Sequence, residues 1–96
     1  MKTIDDIEQK LKQNKTYLRE QYKVKEIGVF GSYIHGEESE DSDVDILVEF
    51  EETIGWEFID LKEYLESILD RKVDLVTVNA LKKQLKNEIL QEVIYL

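Results

Sequence analysis

Ile4, Ile7, Leu11 and Leu18 recur at helical spacing through an otherwise polar segment, and this single apolar stripe predicts a helix from residue 3 to about 22. Thr3 stands where an N-cap is expected, and Asp5 and Asp6 suit the positive end of the helix dipole. The period then changes. Residues 24–30, VKEIGVF, alternate and then turn apolar ahead of Gly31-Ser32, which predicts a buried strand ending in a tight turn, followed by a short helical turn. Beyond the polar run GEESEDS, Val44, Ile46, Val48 and Phe50 fall at alternate positions. A second strand there puts them on one face and Asp43, Asp45 and Leu47 on the other. Ile54, Phe58, Leu61, Leu65, Ile68 and Leu69 form the next helical stripe, from about Gly55 to Asp70. Residues 72–78, KVDLVTV, read as a third strand. Leu81, Leu85, Ile89 and Val93 read as the buried stripe of a last helix, with Asn79 as its cap.

The order is therefore helix, strand, short turn, strand, helix, strand, helix. The connection from Ser32 to Asp43 is too short for a crossover helix, so the sheet is expected to be mixed: about three strands flanked by helices, an α/β (α+β) class. At 96 residues the chain fits one domain, residues 1–96. Hydrophobic residues make up 42% and charged residues 36%, enough for a core beneath a charged shell.

Charge narrows the choice of partner. The net charge is −9, and no lysine or arginine lies between Lys25 and Lys62, which opposes direct binding to nucleic acid and invites metal cations instead. The chain has no cysteine, so disulfides and thiolate metal sites are excluded. The amino-terminal residues lack the apolar stretch of a signal peptide, and no apolar run is long enough to span a membrane. A soluble, cytoplasmic protein is the expectation.

The informative pattern is Gly31-Ser32, ten residues, then Asp43-Val44-Asp45. Residues two apart in a strand share a face, so the two carboxylates stand side by side, and without a cation their repulsion would raise one pKa. Magnesium takes one or two carboxylates and completes its shell with water and phosphate. Gly31 lets backbone approach a phosphate closely, and Ser32 adds a hydroxyl at the turn. Asp74 faces opposite to Val73 and Leu75. If that face is the one lined by Asp43 and Asp45, three carboxylates converge as a two-metal phosphoryl or nucleotidyl transfer site requires.

With these residues in view, nearly the whole chain resembles the minimal nucleotidyltransferases of the DNA polymerase β superfamily, found as antitoxins beside HEPN ribonuclease toxins. The likeness rests on IGVFGSYIHGE, EDSDVDILVEF, IDLKEYLESIL and RKVDLVTVNAL, and on Gly-Ser, ten residues, Asp-x-Asp without a gap. The resemblance implies an enzyme that transfers AMP from ATP to a tyrosine hydroxyl of a HEPN toxin bound as a hetero-oligomer. It also implies that Asp43, Asp45 and Asp74 hold two magnesium ions while Gly31 and Ser32 seat the phosphates. Where many relatives carry basic residues after the Gly-Ser pair, this chain has Tyr33, Ile34 and His35, which leaves His35 as the candidate phosphate contact. That departure keeps two alternatives open: an antitoxin that acts by binding alone, and a transferase whose acceptor is a small molecule or RNA. Lys82, Lys83 and Lys86 are candidates for triphosphate or toxin contact. Trp56 is expected to pack in the core or along a helix, or to anchor a partner.

Overall fold

The first apolar stripe is carried by two helices rather than one. In the computed structural model, which describes residues 4–31, 43–52 and 55–96, α1 spans Ile4–Gln13 and α2 spans Lys15–Tyr22. The break is Asn14, with φ −102° and ψ 4°. Its side-chain Nδ2 donates to the Lys10 carbonyl at 2.8 Å, and its Oδ1 accepts the Tyr64 hydroxyl at 2.6 Å. Asparagine competes well for nearby backbone groups, which is why it suits a break. Leu11 and Leu18 stay two turns apart across it, so the apolar period runs on unbroken and gives no sign of the interruption. The expected cap Thr3 lies outside the described residues.

Lys23, in the left-handed region at φ 59°, turns the chain from α2 into β1, Val24–Phe30. The second strand, β2, is Val44–Phe50, and α3 is Glu57–Leu69. Asp70 (φ 54°) turns the chain again into β3, Val73–Thr77. The Val73 N–H is held by Glu66 Oε2 at 3.0 Å, which fixes where β3 begins. A 3-10 turn, Val78–Ala80, follows, then α4, Lys83–Glu92, and a two-residue strand β4, Ile94–Tyr95.

The strands lie in the order β3-β2-β1-β4; β1 runs antiparallel to β2 and β4, and β2 parallel to β3. The mixed sheet is as expected, with α3 as the crossover that a parallel pair demands. The fourth strand is an addition, because two residues are too few to display alternation. It is secured by Leu96 N–H donating to the Ile27 carbonyl at 3.0 Å and by the absence of a side chain at Gly28. A β-carbon on Gly28 would lie 2.7 Å from Val93 Cγ2 and 2.8 Å from the Ile94 carbonyl oxygen.

One face of the sheet makes the core. Ile27, Val29, Val44, Ile46, Val48, Val73 and Leu75 pack against Ile7, Leu11 and Leu18 of α1 and α2 and Leu61, Leu65 and Leu69 of α3. Each fully buried leucine contributes roughly 2 kcal/mol of hydrophobic stabilisation. Tyr17, Tyr22 and Tyr64 cluster beside it with ring centroids 5.0–6.1 Å apart. Burial, then the neighbouring Tyr17, holds the Tyr22 and Tyr64 hydroxyls above the usual tyrosine range.

The last helix corrects the sequence reading twice. Asn79 is not its cap: it lies inside the 3-10 turn, which Thr77 caps by accepting the Ala80 N–H at 3.2 Å, and α4 starts at Lys83 behind Lys82 with no side-chain cap. None of its residues is buried and Leu85 is half exposed, because α1, α2 and α3 already fill the apolar side of the sheet. Val93 lies past the helix end. No helix among the described residues is long and apolar enough to cross a membrane.

Candidate functional site

The strand that ends at Phe30, just before Gly31, and the two that begin at Val44 and Val73 meet at one end of the sheet. Register does the rest. Phe30 pairs with Asp45, and Asp45 pairs with Asp74, so these three residues form one row across β1, β2 and β3. Their neighbours Val44, Ile46, Val73 and Leu75 point into the core. By alternation Asp45 and Asp74 therefore face the other way, on strands about 4.8 Å apart. Leu47 is buried yet stands outside the helix-side core, consistent with its place on that second face. Asp45 is half-buried and Asp74 is exposed. Asp43, also exposed, immediately precedes β2, whose start is pinned by Val44 N–H donating to the Lys72 carbonyl at 2.9 Å.

Gly31 sits directly over this row. Its φ is +79°, a conformation that suits glycine, and a β-carbon there would strike the Asp45 carboxylate, lying 2.9 Å from Cγ and closer still to Oδ2. Two independent constraints thus require glycine at the turn where a phosphate seat is expected from the sequence. The Gly31 N–H donates to Glu92 Oε1 at 3.2 Å. Ser32 and His35, the other two residues assigned to the nucleotide, lie outside the described residues, as do the acidic run and the short turn expected after Ser32.

Two carboxylates facing each other across a strand pair repel, and a hard divalent cation relieves that repulsion. Among the described residues no three acidic, histidine or cysteine side chains are gathered into a preformed cation cluster. The row offers a pair rather than a closed cage. That is the share magnesium ordinarily takes from protein, with water and phosphate supplying the remainder.

Shape alone would point elsewhere. A cavity of about 720 Å³ lies between α1 and the turn after α3, lined by Asp6, Lys10, Leu69 and Arg71 among others, and none of the three aspartates borders it. The row is a candidate on its chemistry rather than on concavity. Glu92 is the residue that sequence reasoning missed. It occupies an ordinary polar position of the last helix, and only the pairing of β4 with β1 brings it to Gly31. Lys82 and Lys83 are exposed and Lys86 half-buried near the start of that helix. Trp56 is 82% exposed at the head of α3, so it takes no part in the core.

Residues 11–96 match the nucleotidyltransferase domain family. The chain is similar to the protein adenylyltransferase MntA of Thermococcus cleftensis, 52% identical over 99% of this chain and 97% of the relative. A candidate minimal nucleotidyltransferase of known structure superposes with a TM-score of 0.78 at 34% identity, covering 94% of this chain and 95% of the other. The complex of a tri-AMPylated Shewanella oneidensis HEPN toxin with MNT antitoxin contains a chain that matches with a TM-score of 0.67 at 25% identity, over 93% of this chain and 70% of that one.

Proposed function

The chain belongs to the nucleotidyltransferase domain family, and we propose that it is an antitoxin that transfers AMP from ATP to a tyrosine hydroxyl of a HEPN-type ribonuclease, silencing it. The observation that carries this reading is the register of Asp45 with Asp74 beneath Gly31. It sets a pair of carboxylates beside a turn built for close backbone approach. The nearest support for the acceptor is the relative with the adenylyltransferase name and the neighbour whose toxin partner is AMPylated.

In the transfer, the acceptor oxygen forms a bond to the α-phosphorus, the bond from that phosphorus to the bridging oxygen breaks, and pyrophosphate leaves. The acceptor proton passes to a carboxylate, for which Asp74 is suited because it is exposed and accessible to a side chain on another protein. Asp43, Asp45 and Asp74 would hold magnesium, which when bound neutralises phosphate charge as the leaving group departs. Gly31 and Ser32 orient the triphosphate through backbone N–H groups and a hydroxyl, and His35 adds a contact where relatives carry basic residues. Residues 1–96 act as one domain, and use of ATP together with a cysteine-free chain suits the cytoplasm.

A second reading, neutralisation by binding alone, is favoured by Tyr33-Ile34-His35, which puts no lysine or arginine directly after Ser32 in the sequence. Incubation with a cognate HEPN chain, ATP and magnesium separates the two. The expected result is a toxin mass raised in whole AMP increments together with loss of ribonuclease activity, both abolished by EDTA. Ribonuclease activity lost without any change in toxin mass would instead establish the binding reading.

A further inference from the structure

Among the described residues, the Gly31 backbone makes a contact that stands against the ligand proposed for it. Gly31 lies at the phosphate seat, and a backbone N–H there is the natural donor to a triphosphate oxygen. That N–H is already given to Glu92 Oε1 at 3.2 Å in a partly buried setting. We infer that Glu92 is a built-in competitor for the nucleotide: its carboxylate occupies the Gly31 N–H that a phosphate oxygen must take, so ATP binds by displacing it. The inference rests on the reading of Gly31 as a phosphate seat proposed above.

The placement of Glu92 beside Gly31 is part of the architecture. Gly28 pairs with Tyr95 and Val29 with Ile94. Glu92, the last residue of α4, stands two residues before Ile94, so the pairing that follows it brings it close to the end of β1 and Gly31. The tail is hooked to the same strand that ends in the phosphate seat, through Leu96 N–H on the Ile27 carbonyl and through the space left by Gly28. Val93 N–H donates to the Ile89 carbonyl at 2.9 Å and closes the last turn of α4 just after Glu92. The tail is thereby held where its carboxylate meets the seat.

The chemistry sets the sign. An ionised carboxylate accepts an N–H more strongly than a neutral amide does, and it repels a triphosphate at the same place. Glu92→Gln keeps the shape and an acceptor oxygen while removing the charge. Glu88→Gln removes an equal charge one turn earlier, at an exposed position, and serves as the control for net charge. Both variants are checked for folding by thermal melting, with Glu92→Ala as a second release variant.

The test is calorimetric binding of Mg·ATP, and separately of inorganic triphosphate, to the full chain. Glu92→Gln, which loses the charge, and Glu92→Ala, which loses the hydrogen bond as well, are expected to bind both ligands roughly three- to tenfold more tightly than the wild type, while Glu88→Gln changes little. Binding by the Glu92 variants alone, with none by the wild type, supports the inference equally. Unchanged or weaker binding in the Glu92 variants overturns it and makes Glu92 a support of the turn. Equal tightening by Glu88→Gln overturns it as well, since net charge then suffices. Failure of every protein to bind either ligand would overturn the nucleotide reading of the site and the inference with it, whereas the preceding two outcomes leave that reading intact.

Discussion

Asp45→Asn is expected to lower the rate of AMP transfer by roughly a thousandfold or more while leaving the chain folded, as measured by AMP incorporation into the toxin alongside thermal melting. Asp45 is the middle of the row: it pairs with Phe30 on one side and with Asp74 on the other, and the Gly31 backbone lies against its carboxylate. Asparagine has the same shape, so packing under Gly31 survives. The charge that would hold a cation does not. Removing one of two like charges on adjacent strands also relieves a repulsion of about 0.2–1 kcal/mol, so the melting temperature should hold or rise. A variant that retains transfer within tenfold of the wild type would remove Asp45 from the chemistry.

Gly31→Ala should damage both stability and transfer, and for separable reasons. A residue with a β-carbon at φ +79° costs on the order of 1 kcal/mol in backbone strain alone. In a domain of this size each kcal/mol lowers the melting temperature by roughly 4–8 °C. The added methyl group must also push the Asp45 carboxylate aside. Since misplacing a reacting group by an ångström can cost about a hundredfold in rate, transfer should fall by at least about that much. Gly55→Ala provides the comparison. Its nearest neighbour would be Glu57 Oε2 at 4.0 Å, so stability and rate should both stay near the wild-type values. Equal behaviour of the two variants would show that close backbone approach at Gly31 is unimportant.

Much of the fold can be read from period alone, and the exceptions have physical causes. Val44, Ile46 and Val48 declare a strand with one apolar face, and that same alternation sets Asp43 and Asp45 on the opposite face. Whether Asp74 joins them depends on how β3 slides along β2. Backbone pairing decides that, and no residue of either strand encodes it by type; the observed register brings Asp45 and Asp74 into line. The break at Asn14 is invisible because Leu11 and Leu18 keep their spacing across it. The last helix misleads because Leu81, Leu85 and Ile89 recur at core spacing although three other helices have taken the core. Glu92 is beyond the reach of pattern reading, since its position depends on a two-residue strand and a glycine more than sixty residues earlier.

The claim that Asp45, Asp74 and Gly31 form one metal and nucleotide seat is tested most directly by anomalous scattering from crystals soaked with Mn²⁺ and a non-hydrolysable ATP analogue. The expected result is a manganese peak at about 2.1 Å from carboxylate oxygens of Asp45 and Asp74, with the triphosphate running beneath the Gly31 turn. A manganese peak away from the row, for example beside Asp6 in the cavity between α1 and the turn after α3, with no phosphate density at Gly31, would contradict it.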